Sequence, residues 1–163
     1  MPLGRPGVDP LDARAVRAAA LDALARRDHA SLDLRRKLLD KGYDAGVVAA
    51  LLDVLRAEKL LDDRRYAENF VAYHAARGQG PQRIRDVLRR HGLEEILVEE
   101  CLDAFPDWIV HLQRTQLKKF GAKQPSNDTD RQRQARFLSY RGFTSAQIQT
   151  ALGFDTDLDP DAE

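Results

Sequence analysis

Basic side chains are the residues with the clearest capacity for chemistry in this sequence, and that chemistry is the binding of anions. The 163-residue chain carries 26 Lys and Arg against 26 Asp and Glu. Residues 155–163 hold five of the acids and no base, which leaves 26 bases against 21 acids in the rest of the chain. Residues 113–142 hold eight bases and only two acids. A basic body with an acidic end is typical of proteins that contact polyanions, and the acids offer a means of screening that contact.

A second concentration of positive charge lies at residues 81–91. Apolar residues recur there at helical spacing, as at Ile84 and Leu88, so the arginines between them are predicted to face solvent. Arg85 and Arg89 stand one helical turn apart with no acid between them along that line. This like-charge pair costs roughly a few tenths of a kcal/mol and favours an anionic partner. A solvated surface explains the same pattern equally well.

Residues that often support catalysis or metal binding lack the required spacing. None of the four histidines stands three or four positions from another, and each is predicted to be a surface or helix-end residue. They are His29, His74, His91 and His111. Cys101 lies among apolar residues and next to Glu100, which disfavours a thiolate and predicts a buried structural thiol. We therefore expect no metal site and no catalytic residue.

Two further patterns resemble binding loops and fail on context. Asp155, Asp157 and Asp159 imitate the start of a calcium loop, but Pro160 stands where glycine is required. Residues 78–80 read Gly-Gln-Gly, but they follow a predicted helix and not a strand, so they are no dinucleotide fingerprint. A tight interhelical turn is favoured there, and a phosphate held at the start of the next helix is the alternative.

The elements that must position these side chains form an internal repeat. Gly42, Gly92 and Gly142 lie 50 residues apart, and four further positions around each glycine carry the same class of residue: leucine, large apolar, β-branched and leucine. These four columns are Leu38, Leu88 and Leu138; Tyr43, Leu93 and Phe143; Val48, Val98 and Ile148; and Leu52, Leu102 and Leu152. Glycine adopts positive φ cheaply just after a helix, so each repeat is predicted to contain a helix, a glycine turn and another helix.

Helical periodicity extends over the rest of the chain, and no segment alternates like a strand. Ser31 is predicted to N-cap its helix, and Thr144 with Gln147 forms a capping box. Nine helices are predicted, at 12–27, 31–41, 45–57, 63–77, 81–91, 94–104, 107–120, 129–141 and 145–152. The predicted fold is all-α, an elongated array of three tandem three-helix repeats of helix-turn-helix type.

The repeats set the expected domain organisation. We expect a flexible N-terminus at 1–11, repeats at 12–60, 61–105 and 106–153, and a flexible acidic tail at 154–163. No stretch approaches the roughly 18 apolar residues of a membrane span. One cysteine excludes an internal disulfide, so a reducing compartment is the simplest location. We expect a cytoplasmic monomer that contacts no membrane.

Five segments, in order along the chain, resemble the RecX family, which are bacterial regulators of the RecA recombinase. Three of them together resemble the core signature of the family: LLDDRRYA at 60–67, RGQGPQRI at 77–84 and LRRHGL at 88–93. ALDALARRDHAS at 20–31 is similar to the opening of the family, and RFLSYRGF at 136–143 is similar to its close. The resemblance covers almost all of the predicted helical region and excludes the acidic tail.

The resemblance implies three tandem three-helix repeats, no cofactor and no enzymatic activity. It implies binding to RecA, as the monomer or as its filament on single-stranded DNA, and a limit on filament growth, ATPase and recombinase activity. An auxiliary nonspecific affinity for DNA is expected as well. Our candidates for contact with RecA or DNA are Arg77, Arg83, Arg85, Arg89, Arg90, Lys118, Lys119, Arg133, Arg136 and Arg141.

A helix-turn-helix transcription factor is the alternative, because each helix-glycine-helix unit resembles that motif. A recognition helix requires exposed Arg, Asn or Gln. The helix after Gly92 instead carries five acids between residues 94 and 103, which repel phosphates. Only the helix after Gly142, with Gln147 and Gln149, suits the role. A hydrolase is disfavoured because the sequence contains no catalytic constellation.

Overall fold

The computed structural model describes residues 7–153, and every regular element in that range is an α-helix. The helices are α1 (Ala13–Arg26), α2 (Ser31–Asp40), α3 (Ala45–Ala57), α4 (Asp63–Ala76), α5 (Pro81–Arg90), α6 (Glu95–Ala104), α7 (Trp108–Phe120), α8 (Asp128–Tyr140) and α9 (Ser145–Leu152). Each bound lies within one residue of its predicted position. The all-α class is confirmed. The predicted acidic tail and residues 1–6 lie outside the described residues.

Two compact units make up the described chain. One comprises the residues up to Ala67 together with Leu88–Leu97, and the other comprises Glu68–Val87 together with the residues from Val98 onward. The core of the first unit contains Val16, Ala20, Ala23, Leu34, Leu38, Val48, Leu51, Leu52, Leu55 and Leu61. A core cluster of the second contains Leu112, Ala135, Leu138, Phe143, Ile148 and Leu152. The apolar columns of the sequence repeat therefore supply core residues to both units.

The three glycine turns of the repeat share one backbone geometry. Gly42, Gly92 and Gly142 have φ of +99°, +79° and +98°. In each turn the N–H of the following residue donates to the carbonyl of the leucine four positions before the glycine. These pairs, with their N···O distances, are Tyr43–Leu38 (3.3 Å), Leu93–Leu88 (3.3 Å) and Phe143–Leu138 (3.1 Å). This Schellman arrangement satisfies carbonyls at the helix end, so the predicted role of the glycines is confirmed.

Gly142 has a second role besides its positive φ, because the backbone at the start of α5 packs closely against it. The start of α5 lies on the turn between α8 and α9, where the Gly80 N–H donates to the Arg141 carbonyl at 2.8 Å and the Gln82 N–H to the Gly142 carbonyl at 2.9 Å. A Cβ on Gly80 would lie 2.2 Å from the carbonyl carbon of Gly142. A Cβ on Gly142 would lie 2.5 Å from that of Arg83. Both glycines are therefore required for this contact.

The prediction that Ser31 N-caps α2 is wrong. The N-cap position is Ala30, and Ser31 is the first residue of the helix. The Ser31 N–H donates to Oδ1 of Asp63 at 2.7 Å, so a carboxylate 32 positions away satisfies the helix start. The neighbouring Asp62 satisfies an N–H at the start of its own helix, α4, because its Oδ1 accepts from the Arg65 N–H at 3.0 Å. Adjacent aspartates therefore satisfy N–H groups in two different helices.

His29 lies between α1 and α2, directly before the N-cap of α2, and is only 5% exposed, so of the two predicted alternatives it is a helix-end residue and not a surface residue. Its Nδ1–H donates to the carbonyl of Arg27 at 3.0 Å, which fixes the neutral tautomer because a carbonyl only accepts. Its Nε2 is buried without a hydrogen-bond partner in the described structure. Protonation would therefore place a second N–H where nothing accepts it.

We expect the free energy of unfolding to fall at acidic pH because of His29. Burial lowers the pKa of His29 from its ordinary 6.5 and outweighs the hydrogen bond to the Arg27 carbonyl, which raises it; the charges of Arg27 and Lys37 lower the pKa further, and that of Asp33 opposes them. As the pH falls, His29 therefore becomes protonated in the unfolded chain before it does so in the folded chain. Stability from this residue is complete above about pH 6.5, and it falls by at most about 1.4 kcal/mol per pH unit between that pH and the lowered pKa of His29 in the folded chain.

Urea unfolding at pH 7.5 and at pH 5.5 measures this dependence in the unmodified protein and in His29→Gln. The variant should lose less stability between the two pH values, because glutamine does not titrate. Equal losses in the two proteins would contradict the assignment to His29 and place the acid sensitivity in other groups.

Candidate anion-binding groove

A groove of about 480 Å³ lies in the second compact unit, between the end of α4, one face of α7 and the last turns of α8. Ala75, Ala76 and Phe137 provide an apolar floor. Basic side chains line the rest: Arg77, Arg114, Lys118, Lys119 and Arg141, with His111 beside them. No carboxylate is among the described residues that line it. Five permanent positive charges therefore converge on one cavity.

Helix α7 contributes most of this charge because one of its faces is apolar and packs in the core while the other is basic and exposed. Leu112 is fully buried in the core, while Arg114 and Lys118 are exposed one turn apart. Neither makes an ion pair with a residue that the structure describes. Lys118 and Lys119 occupy the last turn, where the partial negative charge of the helix end favours cations. The groove side of α7 thus carries positive charge that no carboxylate within residues 7–153 neutralises through an ion pair.

Arg141 occupies a fixed position in the groove. Its Nε donates to the carbonyl of Gly78 at 3.0 Å, and its Nη2 donates to the carbonyl of Arg77 at 2.6 Å. These bonds satisfy two carbonyls that follow α4. A guanidinium has five N–H donors, so others remain for a ligand. The predicted contact residue Arg141 therefore also stabilises the fold.

Arg77 and Arg83 each lie over an exposed aromatic ring. The Arg77 guanidinium is 4.3 Å from the ring centre of Tyr73, a residue that is 55% exposed. The Arg83 guanidinium is 5.7 Å from the ring centre of Tyr140, which is 76% exposed. Only Arg77 lines the groove. Its contact places an exposed aromatic ring beside the basic cavity.

The sequence pattern at Arg85 and Arg89 favoured either an anionic partner or a solvated surface, and the structure supplies the anion from within the chain. Arg85 donates through Nε and Nη2 to the carboxylate of Glu99, at 2.5 and 2.9 Å. Arg89 forms an ion pair with Glu95. Both acids lie on α6, one turn apart, so the anion that the sequence pattern favoured comes from this chain. Arg85 is also half-buried, with a side chain that is 26% exposed.

The remaining candidates lie outside the groove. Arg90 and Arg136 are exposed on α5 and α8. Arg133 donates to Asp130 at 2.7 Å and lies over the ring of Phe120. The candidates that the structure brings together are Arg77, Lys118, Lys119 and Arg141.

Two groove residues, Arg114 and His111, were not among the sequence candidates. The signal for them is present in the sequence, because His111, Arg114 and Lys118 recur at helical spacing along one face of α7. This basic face can be recognised in the sequence once the apolar face of the same helix, which contains Leu112, has been identified.

Other sites find no support in the described residues. Residues 7–153 contain no group of three or more His, Cys, Asp or Glu side chains placed to hold a metal ion. No helix in that range has the length and apolarity required to cross a bilayer. Cys101 is buried, as expected for a structural thiol.

The structure also bears on the helix-turn-helix alternative. Glu94, Glu95 and Glu100 are exposed at and after the start of α6, so that helix presents acids. On α9, Gln147 accepts from the Thr144 N–H through its side chain, and the Thr144 hydroxyl accepts in return, which confirms the predicted capping box. One of the two glutamines suited to base recognition therefore already stabilises its own helix.

Comparisons with known proteins agree over all three repeats. Models of the first, second and third RecX three-helix domains match residues 17–55, 62–102 and 111–152. A Regulatory protein RecX from Halorhodospira halophila is 44% identical over 84% of this chain and 86% of its own length. One from Pseudomonas fluorescens strain SBW25 is 41% identical over 88% and 94%. The crystal structure of RecX from Lactobacillus salivarius matches with a TM-score of 0.75 at 20% identity, over 87% and 95%, which supports the shared fold.

Proposed function

We propose, from the premise that this chain belongs to the RecX family of regulatory proteins, that it binds RecA and limits RecA activity. The target is RecA as the monomer or as its filament on single-stranded DNA. The expected effects are slower filament growth, slower ATP hydrolysis and less recombinase activity. The observation that carries the proposal is the similarity over all three three-helix domains to relatives named as regulatory proteins.

The basic groove supports an auxiliary nonspecific affinity for DNA. Lysine and arginine contacts to phosphates give affinity without reading base sequence. A sequence-specific reader needs a helix that offers hydrogen-bonding side chains to base edges in the major groove. The acids exposed on α6 oppose that role, and so does the capping contact of Gln147. A filament built on single-stranded DNA offers the phosphates that such a groove favours.

RecA-catalysed ATP hydrolysis on single-stranded DNA tests the proposal. We expect a substoichiometric amount of this protein to lower the hydrolysis rate, because one molecule that limits the growth of a filament affects the addition of many RecA molecules. Adding the protein before or after filament assembly separates an effect on growth from an effect on hydrolysis. An equal amount of an unrelated protein with the same net charge is the control. An unchanged rate with this protein in excess would refute the regulatory proposal as stated.

A further inference from the structure

We infer that the basic groove of the second unit holds the phosphate backbone of single-stranded nucleic acid. This inference rests on the proposed function, since it locates the auxiliary DNA affinity at one site. It is based on three features of the described residues: positive charges without carboxylate partners, a fixed guanidinium, and an exposed aromatic ring beside the cavity.

The charge in the groove favours a ligand with several negative charges. Arg114 and Lys118 lie one turn apart and repel each other, and the other groove cations add to this repulsion. In contrast, Arg85 and Arg89 are paired with glutamates of α6. A strand of phosphates that enters the groove relieves the repulsion and releases condensed counterions, which is the main source of affinity in nonspecific nucleic-acid binding.

The groove is also preorganised at one end. Two carbonyl acceptors fix the guanidinium of Arg141. Gly78 has φ of +81°, and a Cβ there would lie 2.8 Å from Oγ1 of Thr115 and 3.0 Å from Nη2 of Arg141. The absence of a side chain at Gly78 therefore leaves room for the arginine. A guanidinium already held in place loses little side-chain entropy when it donates to a phosphate.

The surroundings favour single-stranded nucleic acid over an acidic peptide. Tyr73 is exposed and lies under the guanidinium of Arg77, which itself lines the groove. Stacking of bases on aromatic rings and arginine planes is a main source of affinity for single strands, and it tolerates any base sequence. The floor formed by Ala75, Ala76 and Phe137 is apolar, so carboxylates can bind only the basic side chains around it. A single strand uses both features, through its phosphates and its bases.

The test compares two variants that each lose two positive charges. The groove variant carries Arg114→Gln and Lys118→Gln, and the control carries Arg14→Gln and Arg35→Gln, which are exposed in the first unit. The probe is a labelled oligothymidylate of about 16 nucleotides, measured by fluorescence anisotropy over a salt series without RecA. We expect the groove variant to raise Kd about tenfold at low salt and to reduce the slope of log K against log salt by about 1.4. The control should match the unmodified protein.

Two results would overturn the inference. Equal weakening in both variants, with unchanged melting temperatures, would mean that total charge and not the groove determines binding. Competition by polyglutamate as strong as that by unlabelled oligothymidylate of equal charge would assign the groove to acidic peptides. Failure of the proposed function is distinguishable from both, because it appears as an unchanged RecA ATPase rate while oligonucleotide binding still depends on Arg114 and Lys118.

Discussion

Gly80→Ala is expected to lower the free energy of unfolding by about 3 kcal/mol. The added Cβ would lie 2.2 to 2.4 Å from the carbonyl group of Gly142 and 2.3 Å from the backbone nitrogen of Phe143. All of these atoms are backbone, so no side-chain rotation relieves the overlap. The start of α5 would have to move away from the turn and break two hydrogen bonds, to the carbonyls of Arg141 and Gly142.

Two other glycines separate this steric effect from backbone strain. Gly121 has φ of +78° with nothing within 4 Å of a Cβ, so Gly121→Ala adds strain alone and should cost about 1 kcal/mol. Gly142→Ala adds strain at φ of +98° and an overlap with the Cβ of Arg83 at 2.5 Å, so it should cost more. Urea denaturation gives the three values. Equal costs for Gly121→Ala and Gly142→Ala, or an unchanged midpoint for Gly80→Ala, would contradict the close approach.

These glycines show which part of the fold the sequence predicts. The positive φ of Gly142 follows from its place after a helix, which is a local property repeated at Gly42 and Gly92. Its contact with the start of α5 is not local, because some 60 residues separate Gly80 from Gly142. Helix positions therefore follow from periodicity and turns to within one residue, whereas the packing of one repeat against the next does not.

The same distinction explains the errors about individual side chains. The acid that satisfies the first N–H of α2 is Asp63, 32 positions beyond Ser31. The acid that pairs with Arg85 is Glu99, 14 positions away on another helix. Spacing rules within a helix compare residues three or four apart and detect neither partner. A like-charge pair in sequence is therefore weak evidence of an external ligand until the neighbouring helices are known.

The candidate groove was predictable in its charge and not in its location. In the sequence, residues 113–142 are strongly basic, and the motif at 77–84 contains the candidate residues Arg77 and Arg83. The two segments lie side by side because α7 and α8 pack together in one unit and because Arg141 donates hydrogen bonds to the carbonyls of Arg77 and Gly78. Sequence patterns identify which residues carry charge, but the fold determines which charges converge.

Deleting residues 155–163 is expected to tighten binding to oligothymidylate about tenfold at low salt. This segment lies outside the described residues, and the expectation rests on its five acids and on where α9 ends. Helix α9 packs against α7, which lines the groove, and nine residues span at most about 30 Å. At that reach the five carboxylates are expected to compete with phosphates for the groove cations.

The salt dependence identifies the mechanism of this competition. When the oligonucleotide displaces the acidic segment, the freed carboxylates take up cations again, so fewer counterions are released in total. The slope of log K against log salt should therefore be shallower for the full chain than for the truncated chain. The difference in affinity should vanish toward 1 M salt, where the Debye length falls to about 3 Å. A chain of full length with all five acids neutralised should behave like the deletion, because charge and not length causes the effect. Superimposable affinities and slopes for the full and truncated chains would show that the segment does not compete.

Combining the deletion with the groove variant gives the decisive comparison. If the acids compete for Arg114 and Lys118, then removing those charges first should reduce the gain in affinity from the deletion. A coupling between the two changes is expected only where they share a binding partner, and distant independent changes should add. Coupling in the groove variant and strict additivity in the Arg14→Gln and Arg35→Gln control would therefore place the acids and the nucleic acid at one site. Additivity in both backgrounds would place the acidic segment elsewhere, even if its deletion tightens binding.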